Sequence, residues 1–326
     1  MSTKQRDISL DIAKAIGILL MILGHTAFIS QTTIKFIYSF HMPLFFIIGG
    51  YLYRPKAIKD SLKRDFQRLM IPYFVTCGVI IVYYIFLYTL NPNYANDIHY
   101  YMKASIWGSG INHHCLLFDV PWIGAIWFLP ALFVCKNTYN ALQGVNANKK
   151  LMISTFIFLV ATVIGRYLIY LPFSILSGLS AIIFYAIGDR LKDFQKIKIQ
   201  YWIIGIFCWI VSIKYSHIYL VQPSLDLYFV DVIGATTVSI LVYLLSKQIS
   251  KLQSLSSSLV WLGRNTIYIL CFHQIDFDCY LSDKIARHTI DNHYMILLYR
   301  FLIPITATII FCIVKDWWNN RKANVE

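Results

Sequence analysis

Apolar side chains run through this chain in long unbroken stretches. They are marked at about 10–29, 33–53, 70–90, 124–143, 151–170, 173–190, 201–219, 229–246, 258–278 and 294–314. Each is roughly 18–25 residues long, enough for a helix to cross the ~30 Å hydrocarbon core of a bilayer. No period-2 alternation points to a barrel, and no polar face recurs at the 3.6-residue period of a helix lying on a membrane surface. The pattern predicts an all-α integral membrane protein of about ten transmembrane helices. With no internal repeat or low-complexity stretch, residues 1–326 read as one domain.

Charge sets the expected orientation. Basic residues crowd the N-terminus (Lys4, Arg6), the second connection (Arg54, Lys56, Lys59, Lys63, Arg64, Arg68) and the fourth (Lys136, Lys149, Lys150). They also crowd the sixth (Arg190, Lys192, Lys196, Lys198), the eighth (Lys247, Lys251) and the C-terminus (Lys315, Arg321, Lys322). The first connection has only Lys35, and the long third, 91–123, only Lys103; the ninth has Lys284 and Arg287 beside Asp283 and Asp291. Cytoplasmic loops carry the excess of Lys and Arg, so both termini are expected in the cytoplasm.

Composition agrees: of 326 residues, 58% are hydrophobic and 14% charged, against about a quarter charged in a soluble domain. The net charge of +13 does not indicate nucleic acid, because the cations sit between apolar runs. The N-terminus enters its first run with no small-residue cleavage site, so no cleavable signal is expected. Most of the seven cysteines lie inside apolar runs, where Cys acts as a small hydrophobe. Cys115 and Cys279 fall toward the outer side and are able to pair, though their spacing does not demand it.

Ionisable side chains inside a membrane span are costly and mark function by default. The first span carries Asp11, Lys14 and His25. The eleven residues from Lys14 to His25 make three helical turns plus roughly 20°, so the two share a face about 16 Å apart. Asp11, one turn before Lys14, is placed to pair with it. In the second span His41 precedes Pro43, whose missing N–H frees a backbone carbonyl. The short first connection makes these two helices antiparallel neighbours, with His25 and His41 at similar depth. Asp231 and Arg300 are expected to pair with each other near the outer side. In the third connection "INHHC" invites a zinc reading, but adjacent residues do not readily ligate one tetrahedral ion, so no metal is expected.

"LDIAKAIGILLMILGHT" followed by "FHMPLFFIIGGYLYR" resembles the acyltransferase 3 family, in particular its fucose 4-O-acetylase-like branch. That family has a basic residue, ten residues, then His in its first helix; here the pair is Lys14 and His25. Most members have Arg at the first position; Lys14 keeps the charge without the planar fork. Gly49 in "FFIIGGY" stands where Ser is usual. Further matches are "RLMIPYF", "IWFLPALF", "FYAIGDRL" and "LGRNTIYILCFHQ", in the family's order over nearly the whole chain.

The resemblance implies transfer of an acyl group, usually acetyl from acetyl-CoA, to a carbohydrate hydroxyl at a bacterial inner membrane. Such a transfer needs a base for the hydroxyl, and His is the usual choice. His25 is the candidate, as base or as transient acyl carrier, with Lys14 and Asp11 completing its stripe. His41 is expected to orient His25 or bind the acceptor. Tyr51 and Asn265 are candidates for the oxyanion donor, and Arg264 joins the site. The acyl-CoA phosphates are expected on the basic loop at Lys63, Arg64 and Arg68. A transporter or flippase for a saccharide is the alternative, since midplane charges also line substrate paths.

Overall fold

The computed structural model describes residues 6–26, 29–114, 119–167, 169–192, 198–216, 218–221, 224–289 and 293–323. Cys115, the candidate partner of the buried Cys279, lies outside the described residues. The first half of the described chain forms α1 (Ile8–Gly24), α2 (Gln31–Tyr38), α3 (His41–Tyr51), α4 (Ile58–Asp65), α5 (Ile71–Leu90), α6 (Ala95–Trp107), α7 (Phe128–Ala141) and α8 (Ala147–Tyr167). The second half forms α9 (Ile175–Ser180), α10 (Ile182–Leu191), α11 (Ile199–Tyr215), α12 (Phe229–Ile249), α13 (Gln253–Arg264), α14 (Thr266–Cys279), α15 (Leu281–Thr289) and α16 (His293–Ala323). Two antiparallel pairs of two-residue strands, β1 (His113–His114) with β2 (Asp119–Val120) and β3 (Ile218–Tyr219) with β4 (Ser224–Leu225), lie in the connections.

Helices occupy most of each apolar run among the described residues, but five helical segments, fewer than the ten expected, are long and apolar enough to cross a membrane: Gln31–Tyr51, Ile58–Leu90, Ala147–Tyr167, Phe229–Ile249 and Tyr294–Arg321. Pro172–Ser180 with Ile182–Leu191 makes a sixth if that pair, bent by 47°, is one span. The remaining runs form shorter or divided helices. α1 and α11 have 17 residues each and α7 has 14, and the run at 258–278 is split at Asn265 between α13 and α14.

Local chemistry fixes the elements that carry the candidate residues. The Asp7 side chain caps α1 by accepting the Ser9 N–H at 2.9 Å, the usual way to satisfy a helix's first free donors. α1 ends at His25, and Ser30 caps α2 by accepting from Thr33. Pro43 cannot donate to the helical ladder, so the chain breaks at Phe40 and restarts as α3. At that break His41 Nδ1 donates to the Ile37 carbonyl at 2.9 Å.

α1 lies centrally, against α13, α12, α3 and α14. Its approach to α13 is tight: a Cβ on Gly263 would collide with the Asp11 carbonyl. The basic second connection is helical rather than a loop, since α4 runs through a π-helical turn at Phe66–Met70 into α5. The long third connection contains α6. The expected Asp231–Arg300 pair does not form. Asp231 instead accepts from Ser212 Oγ at 2.6 Å, Ser216 Oγ at 2.7 Å and Leu227 N at 2.9 Å. Arg300 bonds Asp283 at 2.9 Å. Hydroxyls and a free helix-end N–H satisfy the buried carboxylate locally, leaving Arg300 to α15.

Candidate active site

A cavity of ≈ 380 Å³ lies between α1, α2, α3 and α14 and is roofed by residues 110–112, 122–127 and 218–221. Ile18, Met21 and His25 line it from α1, a stripe that continues the Lys14 face. Tyr38, His41, Met42 and Phe45 line the opposite wall, and Thr266, Ile267 and Leu270 the α14 wall. Its walls are largely apolar, with few polar groups among them, as ligand pockets commonly are.

His25 is the C-cap of α1, and its Nδ1 donates to the Met21 carbonyl at 2.9 Å. A carbonyl only accepts, so that nitrogen carries the proton and the neutral ring keeps its lone pair on Nε2. The same reasoning puts the lone pair of His41 on Nε2. Tyr38 stands between them, its ring 6.3 Å from His25 and 5.1 Å from His41. No hydrogen bond joins the two histidines among the described residues, so His41 shapes the wall without orienting His25 directly.

Asp11 and Lys14 lie beyond the inner end of the cavity. The Asp11 carboxylate, 3% exposed, takes both Arg6 Nε (2.8 Å) and Nη2 (2.9 Å), with Lys14 Nζ at 2.7 Å and Arg264 Nε at 3.5 Å. Three cations around one carboxylate leave net positive charge at this end of α1. Arg264 thus joins Lys14 rather than His25. Tyr51 sits on the same side: its ring is 6.3 Å from Tyr243, whose hydroxyl donates to Asp7 at 2.8 Å.

Asn265 caps α13, with its Nδ2 donating to the Trp261 carbonyl at 2.9 Å and its Oδ1 facing Cys312 Sγ at 3.5 Å. Neither Tyr51 nor Asn265 lines the cavity. Lys63 and Arg68 are exposed on α4 and the π-helical turn. Arg64 instead bonds the fully buried Asp65 at 3.1 Å, a carboxylate it shares with Lys136 at 2.9 Å.

The structure adds residues the sequence did not single out for a role. The roof is pinned to α14 by Gln274, whose Oε1 accepts the Ala125 N–H and whose Nε2 donates to Asp278. Gly124 makes that approach possible: its φ is +75°, and a Cβ there would collide with the Gln274 amide. Asn112 Oδ1 accepts from Tyr100 Oη and from the Trp122 backbone N–H, both at 3.0 Å. The backbone donor fixes the amide's orientation, leaving Nδ2 as its outward donor. Burial raises the Tyr100 hydroxyl above its ordinary pKa, so it stays protonated and donates. Among the described residues no three His, Cys, Asp or Glu side chains converge as metal ligands.

Comparison with known proteins adds two findings. A family model described as "Acyltransferase domain" matches residues 7–317. The nodulation protein NolL of Mesorhizobium japonicum is 30% identical over 146 residues, covering 40% of this chain and 35% of that protein. NolL of Sinorhizobium fredii is 30% identical over 141 residues, covering 39% of this chain and 34% of that protein. The aligned region therefore spans about a third of these relatives' own length. No solved structure matches the chain.

Proposed function

This chain belongs to the acyltransferase 3 family, and from that premise we propose that it is a multi-pass membrane enzyme moving an acetyl group from acetyl-CoA to a carbohydrate hydroxyl. The observation that carries the proposal is His25 on the wall of a ≈ 380 Å³ cavity with its Nε2 lone pair uncommitted. A hydroxyl is almost fully protonated at neutral pH, and an imidazole is the side chain suited to take its proton as the new bond forms.

The arrangement gives each end of α1 a task. Ile18 and Met21 make the wall of the cavity apolar on its α1 side, between His25 and the turn that carries Lys14, suited to the uncharged arm of an acyl thioester. The exposed Lys63 and Arg68, with the cations around Asp11, meet the phosphates of CoA. The acceptor enters beneath the roof, where Trp122 offers a ring face and Asn112 a donor. In the transfer, the hydroxyl oxygen bonds the carbonyl carbon while Nε2 takes its proton. The C–S bond then breaks, and the thiolate recovers that proton. The excess of Lys and Arg in alternate connections supports a ten-span arrangement in a bacterial inner membrane with both termini in the cytoplasm.

The test is acetyl-CoA hydrolysis or transfer by the purified protein in detergent, wild type beside His25→Ala. Activity lost in a folded mutant supports the enzyme. Inactivity of both, with no binding of acetyl-CoA, sinks it and favours a saccharide transporter.

A further inference from the structure

The acyl transfer proposed above creates a negative oxygen on the former carbonyl, and a site that performs it presents hydrogen-bond donors there. The residues first considered for that task, Tyr51 and Asn265, make their contacts away from His25, with Tyr243 and with Trp261 and Cys312. Behind His25, two buried polar atoms stand without a partner. One is Nδ1 of His273, a residue 1% exposed on α14; the other is Nη1 of Arg300 on α16. Unpaired buried groups of this kind are rare in native structures and call for a cause.

They stand around one side chain. The Phe277 ring lies 6.3 Å from the His273 ring, 6.4 Å from the His25 ring and 4.8 Å from the Arg300 guanidinium carbon. The indole of Trp122, which lines the cavity, is 5.5 Å from the same ring. The His25 and His273 rings are themselves 5.5 Å apart, tilted by 44°. Arg300 is held in place through its other nitrogen, Nη2, by Asp283.

Guanidinium is always protonated in proteins and only donates. A group that satisfies Arg300 Nη1 must therefore be an acceptor, and one shared with His273 meets that ring as a donor too. The chemistry common to both is an oxygen bearing negative charge.

We propose that His273 Nδ1–H and Arg300 Nη1–H form the oxyanion site of the transfer at His25. The acceptor oxygen bonds the thioester carbon, and the carbonyl oxygen takes the displaced electron pair and rests against these two donors. Its collapse expels the thiolate, which recovers the hydroxyl's proton from His25. Both donors are unsatisfied before the reaction, so they reserve their hydrogen bonds for the charge that develops in it.

This inference rests on the acyl-transfer proposal, and wild-type turnover measured in parallel separates the failure of one from the failure of the other. The experiment compares His273→Leu, His273→Asn, Arg300→Met and Arg300→Lys in the full chain, purified in detergent. His273→Leu is expected to lower kcat by roughly 10²–10³-fold, the loss seen when one oxyanion donor is removed. KM for acetyl-CoA stays unchanged, because the contact exists only in the transition state. His273→Asn, whose amide nitrogen stands where Nδ1 stood, recovers much of the loss. His273→Leu also melts no lower than wild type, since it removes an unsatisfied polar group from the interior. Arg300→Met loses kcat and Arg300→Lys keeps part of it. With an active wild type, a normal kcat in both His273→Leu and Arg300→Met overturns the proposal. So does an equal loss in His273→Leu and His273→Asn accompanied by a lowered melting temperature, which marks a packing role.

Discussion

Gln274, buried in α14, accepts the backbone N–H of Ala125 at 2.5 Å and so ties the roof of the cavity to the helix that carries His273. Its amide nitrogen is committed as well, donating to Asp278 at 2.7 Å. Replacing Gln274 with Leu leaves a buried N–H and a buried carboxylate short of a bond each. Leaving such a group unsatisfied costs about 1–3 kcal/mol, so Gln274→Leu should lower the melting temperature of the purified protein. Gly124→Ala should do the same by a different route, because its Cβ meets the Gln274 amide at a backbone φ of +75°. A Gln274→Leu protein as stable as wild type would remove the amide from the account of the roof.

His25 is held by the Met21 carbonyl through Nδ1, which fixes its ring and frees Nε2 for chemistry. His25→Ala should reduce turnover by roughly 10²–10⁴-fold, the contribution of a positioned base, while expression and membrane insertion stay normal. Turnover measured at saturating acetyl-CoA and acceptor checks this; a residual rate near wild type would move the base elsewhere in the cavity.

Asp11 is the hub of the charged end of α1. Asp11→Asn keeps the shape but removes the charge that Arg6, Lys14 and Arg264 share. Hydrogen bonds to charged groups contribute about 1.5–3 kcal/mol each; the cations here retain partial solvent contact, so the expected loss is at the lower end, about 1–2 kcal/mol. Lys14→Arg should stay active, because the charge remains and the fork suits phosphate. Lys14→Met should raise KM for acetyl-CoA. Thermal melting and donor saturation curves separate the two effects.

The basic stretch at 54–68 divides by structure into two kinds of cation. Lys63 and Arg68 are exposed and open to a ligand, whereas Arg64 is engaged with the buried Asp65. Lys63→Glu with Arg68→Glu is expected to weaken acetyl-CoA binding in a manner that fades as salt rises, since exposed charges are screened over about 10 Å at 0.1 M. Arg64→Ala should act mainly on stability. Donor titrations at low and high salt distinguish them.

At the mouth, Asn112 and Trp122 are linked through the Trp122 backbone N–H and Tyr100. Trp122→Ala should raise KM for the acceptor by more than it lowers acetyl-CoA hydrolysis in the absence of acceptor, because the indole lies on the roof and meets the His25 side through the intervening Phe277 ring. Asn112→Leu should act in the same direction with a smaller effect. Equal damage to hydrolysis without acceptor would show that the roof serves the His25 chemistry itself.

Much of this was legible along the chain. Long apolar runs named the class, and helices occupy most of each run among the described residues. The i, i+3 spacing of Asp11 and Lys14 foretold their ion pair, observed at 2.7 Å. The eleven-residue step from Lys14 to His25 foretold a shared face, which Ile18 and Met21 now mark as a cavity wall. The break before Pro43 was visible too, though not that the His41 side chain would bond the Ile37 carbonyl there. Periodicity overlooked the helix in the basic stretch, because α4 is polar over most of its surface and joins α5 only through a π-helical turn. It also set Asp231 against Arg300 by rough depth, where hydroxyls nearby in sequence satisfied the aspartate first.

What the sequence determined by itself was therefore what local spacing and solvent preference determine: helices, their apolar lengths, the polar stripe on α1 and the basic connections. Only the tertiary structure decided which distant groups meet. It put His273 and Arg300 behind His25 across hundreds of residues of chain, drew Arg264 to Asp11 and fastened the roof at Ala125 onto Gln274. The physical reason is that a side chain's partner across helices depends on the rotation and depth at which those helices pack. Close contacts such as Gly263 on the Asp11 carbonyl set that packing, and no local period in the chain encodes it.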